Sequence, residues 1–170
     1  MVTRRQSLKA HPGGFSFIEL VVIIALIAAV SAISAPMLIS FVQAQRTQGA
    51  ARELVAMLHQ ARQLAITRNT PFSVDYQATP QGDQVRFCSG TATPCPVANV
   101  WAGPGTGANG WMGLANGDRI TLTPTITFSA LGAATAAGTL RVQNPSAMSC
   151  LDVVVSPAGR VRIAAAGSCP

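Results

Sequence analysis

Two arginines near the C-terminus are the residues best suited to bind a charged ligand. The segment "SPAGRVRIAAAGSC" predicts the turn and second strand of a hairpin with strands 151–155 and 160–164. Because alternate residues of a strand share a face, Arg160 and Arg162 would project together into solvent, about 7 Å apart, while Val161 and Ile163 face the core. Two guanidinium forks at that separation suit adjacent phosphates of one nucleic-acid strand. The alternative interpretation is that outward arginines on an edge strand only discourage aggregation.

The composition favours an acidic partner. The 170 residues carry a formal net charge of +6, with a pI near 10.1. Lys9 is the only lysine, so arginine supplies the positive charge after the first fourteen residues. This balance favours nucleic acid or anionic lipid as a partner. A high-GC genome would produce the same preference for arginine codons, so arginine usage alone does not decide the question.

The cysteines indicate an oxidising compartment. Four are present, Cys88, Cys95, Cys150 and Cys169, and their spacing does not match a metal site. Three pairings are open. We favour Cys88–Cys95 and Cys150–Cys169, because each closes a local loop. We expect neither a metal nor a cofactor.

The N-terminal sequence predicts a membrane anchor. A basic leader, "MVTRRQSLKAHPGG", precedes a run without charge from Leu20 to Val42, which is long enough to span a bilayer as a helix. The leader charges predict that the leader stays in the cytoplasm and the remainder is translocated. A cleaved secretory signal is the alternative, since small residues lie near Ala35. Glu19, a costly carboxylate inside the apolar stretch, argues against it.

The octapeptide "GGFSFIEL" resembles the class III signal of type IV pilins and pseudopilins. The resemblance implies that a prepilin peptidase cleaves after Gly14 and methylates Phe15. It also implies that Glu19, the fifth mature residue, pairs with the α-amino group of a neighbouring subunit. Pro36 matches a proline common in these helices. The protein would then be stored in the inner membrane as a single-pass subunit with a periplasmic head. It would later join other pilin subunits in a pilus or pseudopilus.

A single helix from about residue 16 to 68 is expected to join the anchor to the head. An apolar stripe at helical spacing is formed by Leu54, Leu58, Ala61 and Ala65. Asn69, two residues before Pro71, is a helix stop signal. The expected domains are a leader (1–14), a transmembrane or filament-core helix (15–42), an amphipathic helix of the head (43–69) and a β-rich head (70–170).

After Pro71 the sequence predicts short strands. They are "FSVDY", "QVRFC", "RITLTPTITFSAL", "GTLRVQ" and "CLDVVV", whereas "LGAATAAG" is expected to be a loop. A long loop rich in Gly and Pro contains Trp101 and Trp111, which would plug the domain or stack on bases. One long helix followed by a meander of strands predicts an α+β fold, with the helix packed on antiparallel sheet.

A second resemblance covers most of the chain. The segments "AARELVAMLHQARQLAITRNTPFSV" and "GWMGLANGD" resemble the GspH/FimT branch of pseudopilins. The tetrapeptide "GRVR" matches the GRxR motif of FimT-type minor pilins, which bind DNA for uptake during natural transformation. The match implies that Gly159, Arg160 and Arg162 bind double-stranded DNA without sequence preference. Arg141 and Arg119 could widen the basic patch.

Three classes of function compete. The first is a DNA-binding minor pilin, and the second is a structural pseudopilin of type II secretion that does not bind DNA. The third is an enzyme, which the sequence does not favour. His59 is the only histidine after the leader, and the aspartates are dispersed at Asp75, Asp83, Asp118 and Asp152. We therefore expect a non-enzymatic protein.

Overall fold

The computed structural model describes residues 16–114, 117–123, 125–167 and 169. The expected cleavage and methylation positions, Gly14 and Phe15, lie outside this range. The chain divides into two compact units, one ending at Ile39 and one beginning at Ser40.

The first element is a long helix, α1, at Phe17–Thr67. It agrees within one residue with the helix expected from the apolar pattern. The segment Phe17–Ser34 has a mean hydropathy of 2.6 and is long and apolar enough to cross a membrane. The helix ends where Asn69 takes a left-handed conformation, with φ of 48°, and the amide of Thr70 donates to the carbonyl of Ala65. This is a common way to satisfy the last carbonyls of a helix.

Two antiparallel sheets and one short 3₁₀ helix, Val97–Asn99, follow α1. The first sheet has the order β3-β2-β1-β5-β6 and contains β1 (Phe72–Thr79), β2 (Gly82–Ser89), β3 (Met112–Gly113), β5 (Thr127–Phe128) and β6 (Ala134–Ala136). The second has the order β4-β7-β8-β9 and contains β4 (Arg119–Thr123), β7 (Gly138–Gln143), β8 (Cys150–Val155) and β9 (Val161–Ala165). One long helix with antiparallel sheets confirms the predicted α+β class.

The core lies between the C-terminal half of α1 and the inner faces of the strands. The predicted stripe of α1 is fully buried, at Leu54, Leu58, Ala61 and Ala65. It packs in one cluster with strand residues such as Phe72, Phe87, Phe128, Leu140 and Val153. Burial of this apolar surface supplies most of the stabilisation of the head. Every residue of the cluster lies between Ala50 and Val161, so residues 43–170 contain the complete cluster.

Two disulfides connect the loops to the strands. Cys88 at the end of β2 bonds to Cys95, and Cys150 at the start of β8 bonds to Cys169. The second bridge joins the two ends of the segment that carries Arg160 and Arg162.

Candidate nucleic-acid interface

The two arginines follow a tight turn between β8 and β9. The amide of Gly159 donates to the carbonyl of Ser156 at 2.8 Å, and the amide of Ser156 donates to the carbonyl of Arg160 at 2.9 Å. Gly159 has φ of 75°, in the left-handed region that L side chains rarely adopt. The turn therefore depends on a glycine at this position.

Gly159 is also buried against a second turn. A Cβ placed on Gly159 would lie 2.0 Å from the carbonyl oxygen of Gly132, in the turn between β5 and β6. The carbonyl of Pro157 accepts a hydrogen bond from the amide of Ala134 in β6, at 3.0 Å. Gly159, the glycine of "GRVR", is therefore buried against the turn at Gly132, and this contact fixes the position of the Arg160 backbone.

Arg160 and Arg162 are both exposed. Within the described part of the chain, neither guanidinium group has an ion pair or a hydrogen bond. Arg162 lies opposite Val154 in register, on the face of the sheet that points away from the buried Val153 and Val155. Both guanidinium groups are therefore available to an anionic ligand.

The core-facing side of β9 is only partly covered. Val161 is partly buried and packs on the core as expected, whereas Ile163, on the same face, is 37% exposed. The register places Ile163 opposite the fully buried Val153. Because β9 is the edge strand of its sheet, no further strand covers the outer side of Ile163.

The sheet places Arg119 and Arg141 on the same face as Arg162. Arg141 lies opposite Thr121 of β4 and Asp152 of β8, two residues from the Val154 that faces Arg162. Each of these arginines, however, has a carboxylate partner. Arg141 makes two hydrogen bonds to Asp152, at 2.8 and 3.2 Å. Arg119 lies 3.3 Å from Asp83. Their charges are therefore offset within the protein.

The two tryptophans have different environments. Trp101 is buried, and its ring centroid lies 5.8 Å from that of Phe87, so it fills the core. Trp111 is partly exposed and lies under Arg86, whose guanidinium carbon is 4.4 Å from the ring centroid. Arg86 is itself paired with Asp75 at 2.7 Å. One face of Trp111 is thus occupied by a protein cation, which reduces the ring surface left for a base.

Arg62 of α1 also contacts this region, although the sequence did not single it out. Its Nε donates to the carbonyl of Gly132 at 2.8 Å, across 70 residues of sequence. The same nitrogen would lie 3.1 Å from a Cβ on Gly159. The contact depends on tertiary packing, so no local pattern in the sequence indicates it.

A separate polar pocket of about 190 Å³ lies at the first turns of the head helix, lined by Gln43, Arg46, Asp118, Asn144, Pro145 and Ser146. Asp118 is 0% exposed, and no described residue donates a hydrogen bond to either carboxylate oxygen. Burial raises its pKa to about 6, an effect that nearby Arg46 opposes and Glu53 reinforces. Among the described residues, no three His, Cys, Asp or Glu side chains are grouped to hold a metal ion.

A family comparison identifies the chain. The family described as type II transport protein GspH matches residues 50–159, which is more than half of the chain. The chain belongs to the GspH family. A search of curated proteins found no match.

Solved structures show the same fold at low sequence identity. The type IV minor pilin FimU of Pseudomonas aeruginosa (strain PAO1) matches in two crystal forms, each at 21% identity. One match has a TM-score of 0.54 and covers 76% of this chain and 99% of FimU. The other has a TM-score of 0.51 and covers 72% and 99%. The minor pseudopilin EpsH from the type 2 secretion system of Vibrio cholerae matches with a TM-score of 0.50 at 16% identity, covering 74% and 99%.

The chain therefore belongs to the GspH family and has the fold of the minor pilin FimU and the minor pseudopilin EpsH. The apolar helix suits a membrane-anchored pilus or pseudopilus subunit. The family match ends at Gly159, immediately before Arg160. It therefore covers the turn that positions the arginines but not the arginines themselves.

Proposed function

We propose that this GspH-family subunit is a minor type IV pilin that binds double-stranded DNA without sequence preference and supports DNA uptake in natural transformation. The observation that carries the proposal is the contrast among the arginines of the strands and of the turns that join them. Arg86, Arg119 and Arg141 each have an aspartate partner. Arg160 and Arg162 have none within the described residues and are exposed on the β8–β9 hairpin.

Binding would be electrostatic. The guanidinium forks bind phosphate oxygens, which carry no sequence information, and release counterions from the DNA. Gly159 contributes by fixing the turn, and the Cys150–Cys169 disulfide restrains both ends of the segment. The role requires no bond-breaking chemistry and no cofactor.

Processing and location follow the pilin pathway in this proposal. A prepilin peptidase cleaves after Gly14 and methylates Phe15, and the helix beginning at Phe17 anchors the subunit in the inner membrane with its head in the periplasm. On assembly into the filament, Glu19 pairs with the α-amino group of a neighbouring subunit, since a carboxylate in an apolar environment requires a positive partner.

The second candidate is a structural pseudopilin of a type II secretion system that does not bind DNA. It is favoured by the family description and by the end of the family match at Gly159. In that case Arg160 and Arg162 would keep the edge strand β9 from pairing with other sheets.

Binding to a labelled DNA duplex separates the two candidates. The head, residues 43–170, is titrated into the duplex over a series of salt concentrations, beside the double variant Arg160→Gln, Arg162→Gln. The control is Arg52→Gln, which removes one charge from an exposed position of α1 and is compared with each single variant, Arg160→Gln and Arg162→Gln. Arg52 lies about 15 Å along the helix from Arg62, which contacts the turn.

DNA binding that weakens with salt is expected for the wild-type head and the control. The hairpin variant should lose most of its affinity, and its slope of log affinity against log salt should fall by about two, one for each lost phosphate contact. Absence of wild-type binding at low salt would reject DNA capture and leave the structural pseudopilin.

A further inference from the structure

Three segments meet at Gly132, beside the paired arginines. Gly132 lies in the turn between β5 and β6 and has φ of 81°. A Cβ on Gly132 would lie 2.8 Å from Cδ1 of Ile66 and 3.1 Å from Nε of Arg62, both on α1. The third segment is the turn at Gly159, which approaches the carbonyl of Gly132. The helix therefore packs directly on the base of the hairpin.

Within the described residues, one of the three guanidinium nitrogens of Arg62 makes a hydrogen bond. Its Nε donates to the carbonyl oxygen of Gly132 at 2.8 Å. Nothing in the described part of the chain accepts a hydrogen bond from its two terminal amino groups, and no carboxylate there pairs with it. The side chain is partly exposed. A held Nε fixes the plane of the guanidinium, and the two remaining nitrogens are left to bind a ligand.

The position of Arg62 places its guanidinium beside the backbone of Arg160. Its Nε is 3.1 Å from the Cβ position of Gly159. Consecutive Cα atoms lie about 3.8 Å apart, so the backbone of Arg160 begins within a few ångströms of this guanidinium. The residues are 98 positions apart in sequence, and the fold brings them together.

We propose that Arg62, Arg160 and Arg162 form one basic surface that continues from α1 around the turn at Gly159 to the outer face of the edge strand β9, and that the terminal amino groups of Arg62 bind a phosphate of the same nucleic-acid backbone. The inference rests on the proposed DNA binding and adds a residue from α1 to it. Arg62 has two tasks in this surface. Its Nε holds the turn that carries Gly132 against Gly159, and its outer edge contacts the ligand.

The geometry favours a phosphate backbone as the ligand. The three cations come from two elements, the helix and the hairpin, and none has a carboxylate partner among the described residues. A planar guanidinium with two free parallel N–H groups matches the oxygens of a phosphate. A polymer that presents phosphates in succession can engage all three at once, and each contact adds to the salt dependence of binding.

The test measures that salt dependence for the full chain in uncharged detergent micelles with a labelled DNA duplex. Arg62→Gln removes the positive charge and the hydrogen bond from Nε to the carbonyl of Gly132. Arg62→Lys keeps the charge but removes that hydrogen bond. Arg52→Gln is the matched control, because it removes one charge from an exposed position of the same helix. Hydrogen exchange of the amides of Ala134 and Gly159, which both hold the turn, reports its integrity independently of DNA.

Arg62→Gln is expected to lower the slope of log affinity against log salt by about one and to weaken binding about tenfold at low salt. Arg52→Gln should leave the slope unchanged, and Arg62→Lys should retain it because an ammonium also binds phosphate. An unchanged slope in Arg62→Gln, with DNA still bound, would refute the inference and leave the proposed function standing. Equal loss of slope in Arg62→Lys and Arg62→Gln, with faster exchange at Gly159, would assign Arg62 to the turn alone and also refute it. Absence of wild-type binding would reject both proposals together.

Discussion

Replacing Asp118 with asparagine should stabilise the head at neutral pH. Asp118 is fully buried, and within the described residues its carboxylate receives no hydrogen bond. The charged groups that act on it are Arg46 and Glu53, which oppose each other. An ionised carboxylate without donors is poorly solvated in this position, whereas an amide of the same shape is neutral at every pH.

The size of the effect follows from the pKa. Burial raises the pKa of Asp118 from 3.8 to about 6. One pKa unit corresponds to about 1.4 kcal/mol, so ionising Asp118 in the folded head costs up to about 3 kcal/mol. Between these two pKa values the folded state binds more protons than the unfolded state, so the contribution of Asp118 to stability falls as the pH rises from about 4 to 6. Above pH 6 the full cost is present.

The assay is urea unfolding of the oxidised head, residues 43–170, followed by the fluorescence of its two tryptophans at several pH values between 4 and 8. We expect Asp118→Asn and the wild type to be equally stable near pH 4. Near pH 7.5 the variant should be more stable by about 2–3 kcal/mol. Other carboxylates titrate in both proteins, so their effects cancel in the difference.

Asp83 provides the control, because it is a buried aspartate with donors. It is 2% exposed and accepts hydrogen bonds from the amide of Ile120 at 2.6 Å and from Tyr76 at 3.3 Å. Asp83→Asn should therefore destabilise the head at neutral pH, by about 1.5–3 kcal/mol. If the stability difference between Asp118→Asn and wild type does not change with pH, then Asp118 has a donor in solution and the reasoning fails.

Two further predictions concern the hairpin. Gly159→Ala should destabilise the head by at least about 1–2 kcal/mol, since its left-handed backbone disfavours a side chain and the carbonyl of Gly132 leaves no space for one; a urea midpoint equal to that of the wild type would contradict this. Replacing Cys150 and Cys169 together by serine should lower the free energy of unfolding by about 3 kcal/mol, as expected for a loop of this length. It should also increase hydrogen exchange in β9, and unchanged exchange there would show that the bridge does not restrain the strand.

The sequence predicted the elements that depend on local pattern. The helix could be placed within one residue because its apolar stripe and its stop signal at Asn69 are both local. The turn at Gly159 was predictable for the same reason, since a glycine after Ser-Pro-Ala indicates positive φ. Both favoured disulfides are present, and each joins residues close in sequence.

Features that depend on pairing between distant segments were not predictable. The segment "RITLTPTITFSAL" was expected to be β-structure, and its division into β4 in one sheet and β5 in the other was not predicted. The segment "LGAATAAG" was expected to be a loop, yet it contains β6, because its backbone pairs with β5. Small side chains give a weak strand signal, and main-chain pairing at a sheet edge does not require a stronger one.

The sequence also did not show which arginines are paired with a carboxylate. This pairing determines how far the unpaired basic surface extends. From the sequence, Arg119 and Arg141 were both candidates to widen the basic patch, and nothing showed on which face of the sheet either one lies. The strand register places both on the face of Arg162, but it also brings Asp83 and Asp152 to them. The pairings that offset these charges join different strands, so charge counting along the chain overestimates the patch at β4 and β7.

The "GRVR" motif joins a folding requirement to a binding requirement. Gly159 is needed for the turn and for the approach to Gly132, whichever function the arginines have, and it is the last residue of the family match. A structural pseudopilin would need this glycine as much as a DNA-binding pilin. Only a DNA-binding pilin would need the cations of Arg160 and Arg162, which have no partner among the residues that the structure describes. Gly159 is therefore evidence for the fold, whereas Arg160 and Arg162 distinguish a DNA-binding pilin from a structural pseudopilin.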